Sequence, residues 1–292
     1  MTDRSPTIHE LSKSHPSSFK EHKHHFLFDS LCAAYQAAHQ AGQSILKSWD
    51  TDFKVEYKGT VDLVSEVDLA AQNRILNTLT QRFPNDAFCA EESDDFSIDI
   101  LNQDRVWVID PLDGTTNFSH GFPHFCVSIA LVMQGIPYLG VIHDPIRNWT
   151  WYALKGQGAW RDDHRLKVAP PRPLHQALLA TGFPYDRHTS THDNVAQASF
   201  FLKRIQGLRR AGAAALDLAY VAAGWLDGYW EYKLKPWDCA AGGLLVQEAG
   251  GVISDAHGDD LWLQRGTIIS ASTLSLYNEI KQGLDQVYSR NG

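Results

Sequence analysis

Between residues 87 and 154 the chain passes through a run of short apolar stretches separated by turn residues, a pattern of sheet rather than of helix. Segments 87–90, 106–109, 125–133, 138–142 and 149–154 are each of strand length and rich in β-branched and aromatic residues. Gln134-Gly135-Ile136-Pro137 carries turn chemistry, so the last three segments read as an antiparallel meander.

Helical periodicity brackets these strands. Leu27, Leu31, Ala34, Tyr35, Ala38, Gly42, Ile45, Leu46 and Trp49 fall on one face of a helix beginning near Phe26. A second helix is expected from about Ser65 to Arg82, with Leu69, Ile75, Leu76 and Leu79 inward and Pro84 closing it. Farther on, strands are expected at 178–181, 228–232, 252–254 and 268–270. Helices are expected at 194–205, 213–223, 239–249 and 274–288. Sheets and helix pairs in alternating blocks imply a layered α/β or α+β sandwich. Residues 1–25, with Pro6, Pro16 and five His, read as a flexible polar extension ahead of one catalytic domain at 26–292.

Composition narrows the class. A chain of 292 residues, 43% of them hydrophobic, buries a large core. The net charge of -8 argues against nucleic acid as a partner, yet leaves room for acidic substrates, because bound Mg²⁺ reverses the local sign of a site. Cys32, Cys89, Cys126 and Cys239 form no CxxC pair and read as reduced, buried thiols. No apolar run reaches the ~18 residues of a membrane span, and no signal-peptide core opens the chain. The expectation is a cytoplasmic protein with no membrane partner.

The chemistry gathers at Asp110-Pro-Leu-Asp-Gly-Thr-Thr-Asn-Phe118, which follows the apolar run 106–109. Two carboxylates three residues apart sit where a strand ends, and a Gly and two hydroxyls follow in a turn that can meet an anion. Glu91, Asp110, Asp113 and Asp238 each lie at the edge of an ordered element. Mg²⁺ takes hard oxygen ligands and keeps several waters, and two such ions can flank an in-line displacement. Each residue alone has a plainer reading. Glu91-Glu92 suits a solvated pair, Asp110 and Asp113 suit Asx turns, Thr115 and Thr116 suit a helix start, and Asp238 suits an N-cap. Their joint occurrence favours metal and phosphate at one place.

The nine-residue motif resembles the signature of the inositol monophosphatase family. Trp237-Asp238-Cys-Ala-Ala-Gly-Gly243, continuing to Glu248-Ala-Gly-Gly251, is similar to that family's second signature. Ala90-Glu91-Glu92-Ser93 resembles its Gly-Glu-Glu-Ser element, and Lys58 with Asp62-Leu-Val-Ser-Glu-Val-Asp68 resembles its lysine loop and Asp-Leu-Val-Thr segment. The match is collinear from roughly Phe26 to the C-terminus. Departures are the His-rich extension, Ala90 for Gly, Ala213 where Thr or Ser is common, and Cys239 after the second-signature aspartate.

The resemblance implies a layered α-β-α-β-α sandwich, a homodimer and a Mg²⁺-dependent, Li⁺-sensitive phosphomonoesterase. Its expected substrate is inositol monophosphate or a similar small polyol or sugar phosphate, attacked directly by metal-activated water. Histidinol phosphate and fructose-1,6-bisphosphate are the alternatives. Thr116-Asn117-Phe118 resembles the inositol branch more than the nucleotide-phosphate branch. Of the two or three Mg²⁺ ions implied, Glu91, Asp110 and the Leu112 carbonyl hold the first. Asp110, Asp113 and Asp238 hold the second, and a third, weaker ion lies near Glu91. Thr115, paired with Asp68, and Glu91 orient and deprotonate the water, and Lys58 stands near the metals. Gly114 and Thr115 receive the phosphate through their N–H groups, beside Asp113. Glu231 meets sugar hydroxyls, and the Ala214 backbone borders the polyol. Read alone, Glu231 also suits an exposed strand end. Some bacterial relatives also contact the transcription machinery, and Leu208-Arg209-Arg210-Ala211-Gly212 resembles their arginine-bearing segment. A solvated turn or an interface pair is the other reading of those arginines.

Overall fold

The apolar stretches pair into two main sheets in the computed structural model, which describes residues 22–49, 55–57, 63–93 and 96–291. Helix α1 (His22–Ser48) precedes an antiparallel pair, β1 (Val55–Tyr57) and β2 (Leu63–Ser65), and then α2 (Glu66–Arg82). A seven-stranded sheet follows in chain order: β3 (Ala87–Ala90), β4 (Val106–Asp113), β5 (Cys126–Met133), β6 (Ile136–Asp144), β7 (Trp149–Leu154), β8 (Gly158–Arg161) and β9 (His164–Arg165). Helix α3 (Thr115–Ser119) lies between β4 and β5. β3 and β4 are parallel, and the later neighbours form the antiparallel meander. The rest of the chain is β10 (Leu178–Thr181), α4 (Val195–Leu202), β11 (Gly207–Arg209), α5 (Ala214–Ala222), β12 (Gly228–Tyr232), α6 (Pro236–Glu248), β13 (Val252–Ser254), α7 (Trp262–Arg265), β14 (Thr267–Ala271) and α8 (Leu274–Asn291). Its five strands pair in the order β11-β10-β12-β14-β13.

Side-chain alternation along the strands sets the layers. Trp107, Ile109, Val127, Ile129 and Leu131 pack on α1 and α2, whereas Val106, Val108, Ala130, Val132 and Trp151 face α5 and α6. In the second sheet Ala180, Tyr229 and Ile268 face that same α5–α6 layer, and Leu179, Trp230 and Ile269 face α4 and α8. The stack is therefore α1–α2, sheet, α5–α6, sheet, α4–α8, the expected α-β-α-β-α sandwich. Both faces of both sheets are covered, which is why many strands read as continuous apolar runs. α6 lies between two sheets and is buried along nearly its whole length.

The middle layer approaches β6 closely at Gly140, where a Cβ would stand 2.8 Å from both Cα and O of Ala241 in α6. Gly140→Ala is expected to push α6 off the sheet and destabilise the fold by about 1–3 kcal/mol, read as a lower denaturation midpoint.

Several boundaries differ from the sequence reading. β4 continues past Ile109 to Asp113, because a register shift carries the strand through the motif. α6 starts at Pro236 rather than near Cys239, since proline fits the first helical position. Leu46 and Leu69, expected inward, are 39% and 43% exposed at the rims of their helices. α4 stops at Leu202, short of Ile205. The short strands β1, β2, β8, β9 and β11 and the one-turn α7 answer to no expectation, and Ser65, expected to open the second helix, ends β2. All four cysteines are buried free thiols, and among the described residues no helix is long and apolar enough to cross a membrane. Lys58, Asp62 and residues 1–21 lie outside the described residues, as do the side chains of 22–25.

Candidate active site

Three backbone devices bring the acidic positions together at the end of β4. The β4–β5 ladder shifts register between Asp110 and Asp113, where Pro111 has no N–H to give. Asp110 Oδ1 accepts the Leu112 N–H at 3.0 Å. Glu91 directly follows β3, and its N–H bonds Ile109 O at 3.1 Å, so parallel pairing sets Glu91 beside Asp110. The next N–H, of Glu92, bonds Gln72 Oε1 at 2.9 Å and ties this turn to α2, which also carries the buried Asp68.

Asp238 arrives from α6, where it is not the N-cap. It occupies the third helical position, and its Oδ2 accepts the N–H of Lys235, the cap residue, at 2.7 Å. Ser128, cross-strand partner of Asp110, donates to Trp237 O at 3.2 Å and holds the start of α6 over the sheet.

The turn after β4 is equally constrained. Gly114 has φ of 97°, and a Cβ there would fall 3.0 Å from His124 O. Thr115 does not pair with Asp68 as the resemblance implies. Its single hydroxyl hydrogen goes to Leu112 O at 3.0 Å, the acceptor a helix start places nearest. Asn117, read from sequence only as a branch marker, joins two distant segments. Its Nδ2 donates to His124 O at 2.7 Å and to Ala211 O at 2.8 Å. Asp113 completes the link, accepting the N–H groups of Ala214 at 3.2 Å and Ala215 at 2.8 Å, the first of α5.

These carboxyls act strongly on one another. Burial, then the charges of Asp238, Glu92 and Asp68, push Glu91 far above the usual carboxylate range. Burial, then Glu91, Asp113 and Asp238, do the same to Asp110. The Glu91 and Asp110 carboxyls also hydrogen-bond each other, which requires a proton on one of them. Burial and the Asp238 charge raise Asp113 to about 8, against the pull of the Ala215 and Ala214 N–H groups. Burial raises Asp238 to about 6, against the N–H and ammonium of Lys235.

Such a cluster suits a divalent cation, which would relieve every one of these repulsions. Among the described residues no three His, Cys, Asp or Glu side chains already converge as a closed ligand set. Glu91 and Asp110 are turned onto each other, while Asp113 and Asp238 accept backbone N–H groups. The donor chemistry nevertheless fits Mg²⁺. It is all oxygen, and an ion that keeps its waters asks for only one or two carboxylates.

A cavity of about 310 Å³ adjoins the cluster, lined by Asp113 and Asp238, by Ala214 and Asp217 of α5, by Glu231 of β12 and by Arg210. Ala214 and Glu231 thus share a cavity with two of the acidic positions. Glu231 is half-buried rather than an exposed strand end. The Tyr229 hydroxyl donates to Glu231 Oε2. Gly182 leaves room for the carboxylate, since a Cβ there would fall 2.0 Å from Oε1. Burial lifts Glu231 to about 7 despite Tyr229 and the positive charge of Arg210. Of the two arginines in the 208–212 segment, Arg210 lines this cavity and Arg209 is exposed on β11, an edge strand.

Residues 29–287 match the profile of the inositol monophosphatase family. The chain is 43% identical over 243 residues to the Nus factor SuhB of Escherichia coli (strain K12), a match that covers 82% of this chain and 90% of the relative. Among solved structures, the inositol monophosphatase from Anabaena (Nostoc) sp. has a TM-score of 0.79 at 36% identity, over 89% of this chain and 96% of its own. The extragenic suppressor protein suhB from Bartonella henselae has a TM-score of 0.78 at 37% identity, over 86% and 96% respectively. With sequence profile, sandwich architecture and acidic cluster in agreement, the chain belongs to the inositol monophosphatase family.

Proposed function

We propose that the protein is a Mg²⁺-dependent phosphomonoesterase that hydrolyses inositol monophosphate or a similar small polyol or sugar phosphate. The observation that carries this reading is the buried carboxylate cluster opening onto a cavity that also holds Glu231 and the Ala214 backbone. Glu91, Asp110 and the Leu112 carbonyl are assigned to one ion, and Asp110, Asp113 and Asp238 to a second; a weaker third lies near Glu91. Bound Mg²⁺ supplies charge neutralisation at the phosphoryl group and lowers the pKa of water. Glu91, ionised once a cation offsets the neighbouring carboxylates, would take the proton of the attacking water, and Thr115 and Asp68 would orient that water. For this the Thr115 hydroxyl swings away from Leu112 O, a rotation open to any threonine hydroxyl. The N–H groups of Gly114 and Thr115 receive phosphoryl oxygens, Lys58 adds positive charge, and Glu231 binds a substrate hydroxyl. Phosphoryl transfer passes through a loose transition state, so positioning and charge carry the catalysis and no nucleophilic side chain is needed.

The test is phosphate release from inositol monophosphate, histidinol phosphate and fructose-1,6-bisphosphate at equal concentration. The highest kcat/KM is expected on inositol monophosphate, and a preference for either other ester would reassign the substrate. Family membership supports three further expectations: inhibition by Li⁺, a homodimer and a cytoplasmic location. The charge of -8 favours a small-molecule substrate over nucleic acid.

A regulatory reading is favoured by one observation, the 43% identity to a Nus factor, and Arg209 on its edge strand is the residue to test. A transcription protein retained by the inactive Asp110→Asn variant and lost with Arg209→Ala would support it.

A further inference from the structure

Asp217 is 2% exposed, on a helix otherwise built of Ala, Leu, Tyr and Val. One helical turn below Ala213 and Ala214, it lines the same cavity as they do. Its carboxylate has no helix-capping task. The first N–H groups of α5 are taken by Asp113, and the Asp217 N–H goes to Ala213 O at 3.0 Å. Among the described residues no hydrogen-bond donor meets this carboxylate. Burial, then the charges of Glu231 and Asp113, push this carboxyl well above the ordinary range, and the charge of Arg210 pulls the other way. A buried carboxylate facing two others without a hydrogen-bonded partner weakens the fold, so its presence in a cavity wall calls for a functional explanation.

Across the layer, Glu231 points into the same cavity. Tyr229 and Glu231 lie two residues apart on one face of β12, and Tyr229 on that face packs against the α5–α6 layer. One oxygen of Glu231 already accepts the Tyr229 hydroxyl. Asp217 therefore adds free acceptor capacity beside a carboxylate that is partly occupied.

Resting on the phosphatase reading above, we propose that Asp217 is a specificity-determining residue. Its carboxylate, buried in the cavity wall and open to the cavity, accepts a hydrogen bond from a polyol hydroxyl beyond the one met by Glu231. A phosphate would be repelled there, and a hydroxyl donates to a carboxylate readily. Arg210 lines the cavity too and offsets the negative charge of the pair. The fitting substrate class is a phosphorylated polyol with several free hydroxyls, rather than a phosphate ester of a short or singly hydroxylated alcohol.

The test compares wild type and Asp217→Asn on inositol 1-phosphate, 2-hydroxyethyl phosphate and 2-aminoethyl phosphate under saturating Mg²⁺. Calorimetric binding of inositol 1-phosphate and a thermal melt are made alongside. Exchanging a carboxyl oxygen for the weaker acceptor of a neutral amide, which also brings an N–H donor into the cavity, is expected to lower the preference for inositol 1-phosphate over 2-hydroxyethyl phosphate by roughly tenfold, mainly through KM. The melting temperature is expected to hold or rise, because a mutual repulsion is removed. An equal loss on all three esters, or no loss on inositol 1-phosphate, overturns the proposal. A loss greatest on 2-aminoethyl phosphate overturns it in favour of an ammonium site. Turnover that ignores Asp217 sinks this inference alone. No turnover with Asp217-dependent binding sinks the phosphatase reading and supports this one, and neither turnover nor binding sinks both.

Discussion

Replacing Asp110 by Asn is expected to lower Mg²⁺-dependent phosphate release by about 10³-fold or more. Asp110 is the one side chain assigned to both principal ions, and metal ions contribute several kcal/mol to transition-state charge stabilisation. It also touches Glu91, the proposed base, so the substitution disturbs two roles at once. Glu231→Gln makes a useful contrast. It keeps the metal ligands and is expected to raise KM about tenfold while reducing kcat far less. Unfolding is not the cause in the Asp110 variant, because removing a charge from this cluster relieves repulsion. Its metal-free melting temperature should equal or exceed that of wild type. An Asp110→Asn protein that kept turnover within tenfold would remove Asp110 from the mechanism.

Metal-free protein is expected to lose stability as pH rises from about 4 to about 8, the reverse of ordinary acid denaturation. Asp113, Glu231 and Asp238 stand near 8, 7 and 6 in the folded chain, against ordinary carboxyl values near 4 when unfolded. At these three groups the folded state holds more protons than the unfolded state in that window, and their contribution to stability falls as those protons leave. Buried His124 and His143, held neutral by desolvation, act in the opposite sense below about 6.5, so the fall is steepest above it. Three such groups amount to several kcal/mol, on the order of 10 °C in Tm for a chain of this length. Mg²⁺ binds the ionised cluster and offsets the loss, so the rise in Tm on adding Mg²⁺ should be large at pH 8 and small at pH 5. Scanning calorimetry with chelator and with Mg²⁺ at the two pH values checks both signs. A Mg²⁺ effect equal at pH 5 and pH 8 would place the ion elsewhere.

Much of this molecule is legible in the sequence because its sheets are covered on both faces. Covered strands must be apolar on both sides, so 106–109 and 125–133 announce themselves without any partner in view. Apart from the one-turn α7, the elements that were not legible are those whose existence depends on pairing. β8, β9 and β11 are short and mix Arg and His with small residues, and they become strands only because a neighbour supplies the ladder. Asp238 looks like an N-cap locally, since it directly precedes the helical pattern expected at 239–249. In the fold the helix begins at Pro236, three residues before Cys239, with Lys235 as its cap and Ser128 holding Trp237 over the sheet.

At the site itself, the acidic positions are legible as residue types but not as a set of contacts. The Thr115 hydroxyl and the tether from Asn117 depend on carbonyls fixed by the fold, one of them 94 residues away. Asp217 did leave a signal, a lone charge within Ala214-Ala-Leu-Asp-Leu-Ala-Tyr-Val-Ala222, where an apolar middle-layer helix has no structural use for one. Gly182 leaves none, because what it makes room for comes from another strand.

Phosphate release from inositol 1-phosphate by wild-type protein stripped of metal, followed as Mg²⁺ is titrated in near pH 8, tests the central claim most directly. No release in chelator and a saturable rise with Mg²⁺ are the results expected of a carboxylate cluster that works only when a dication offsets its charge. Release that proceeds equally well in chelator, or that fails at every Mg²⁺ concentration, would contradict it.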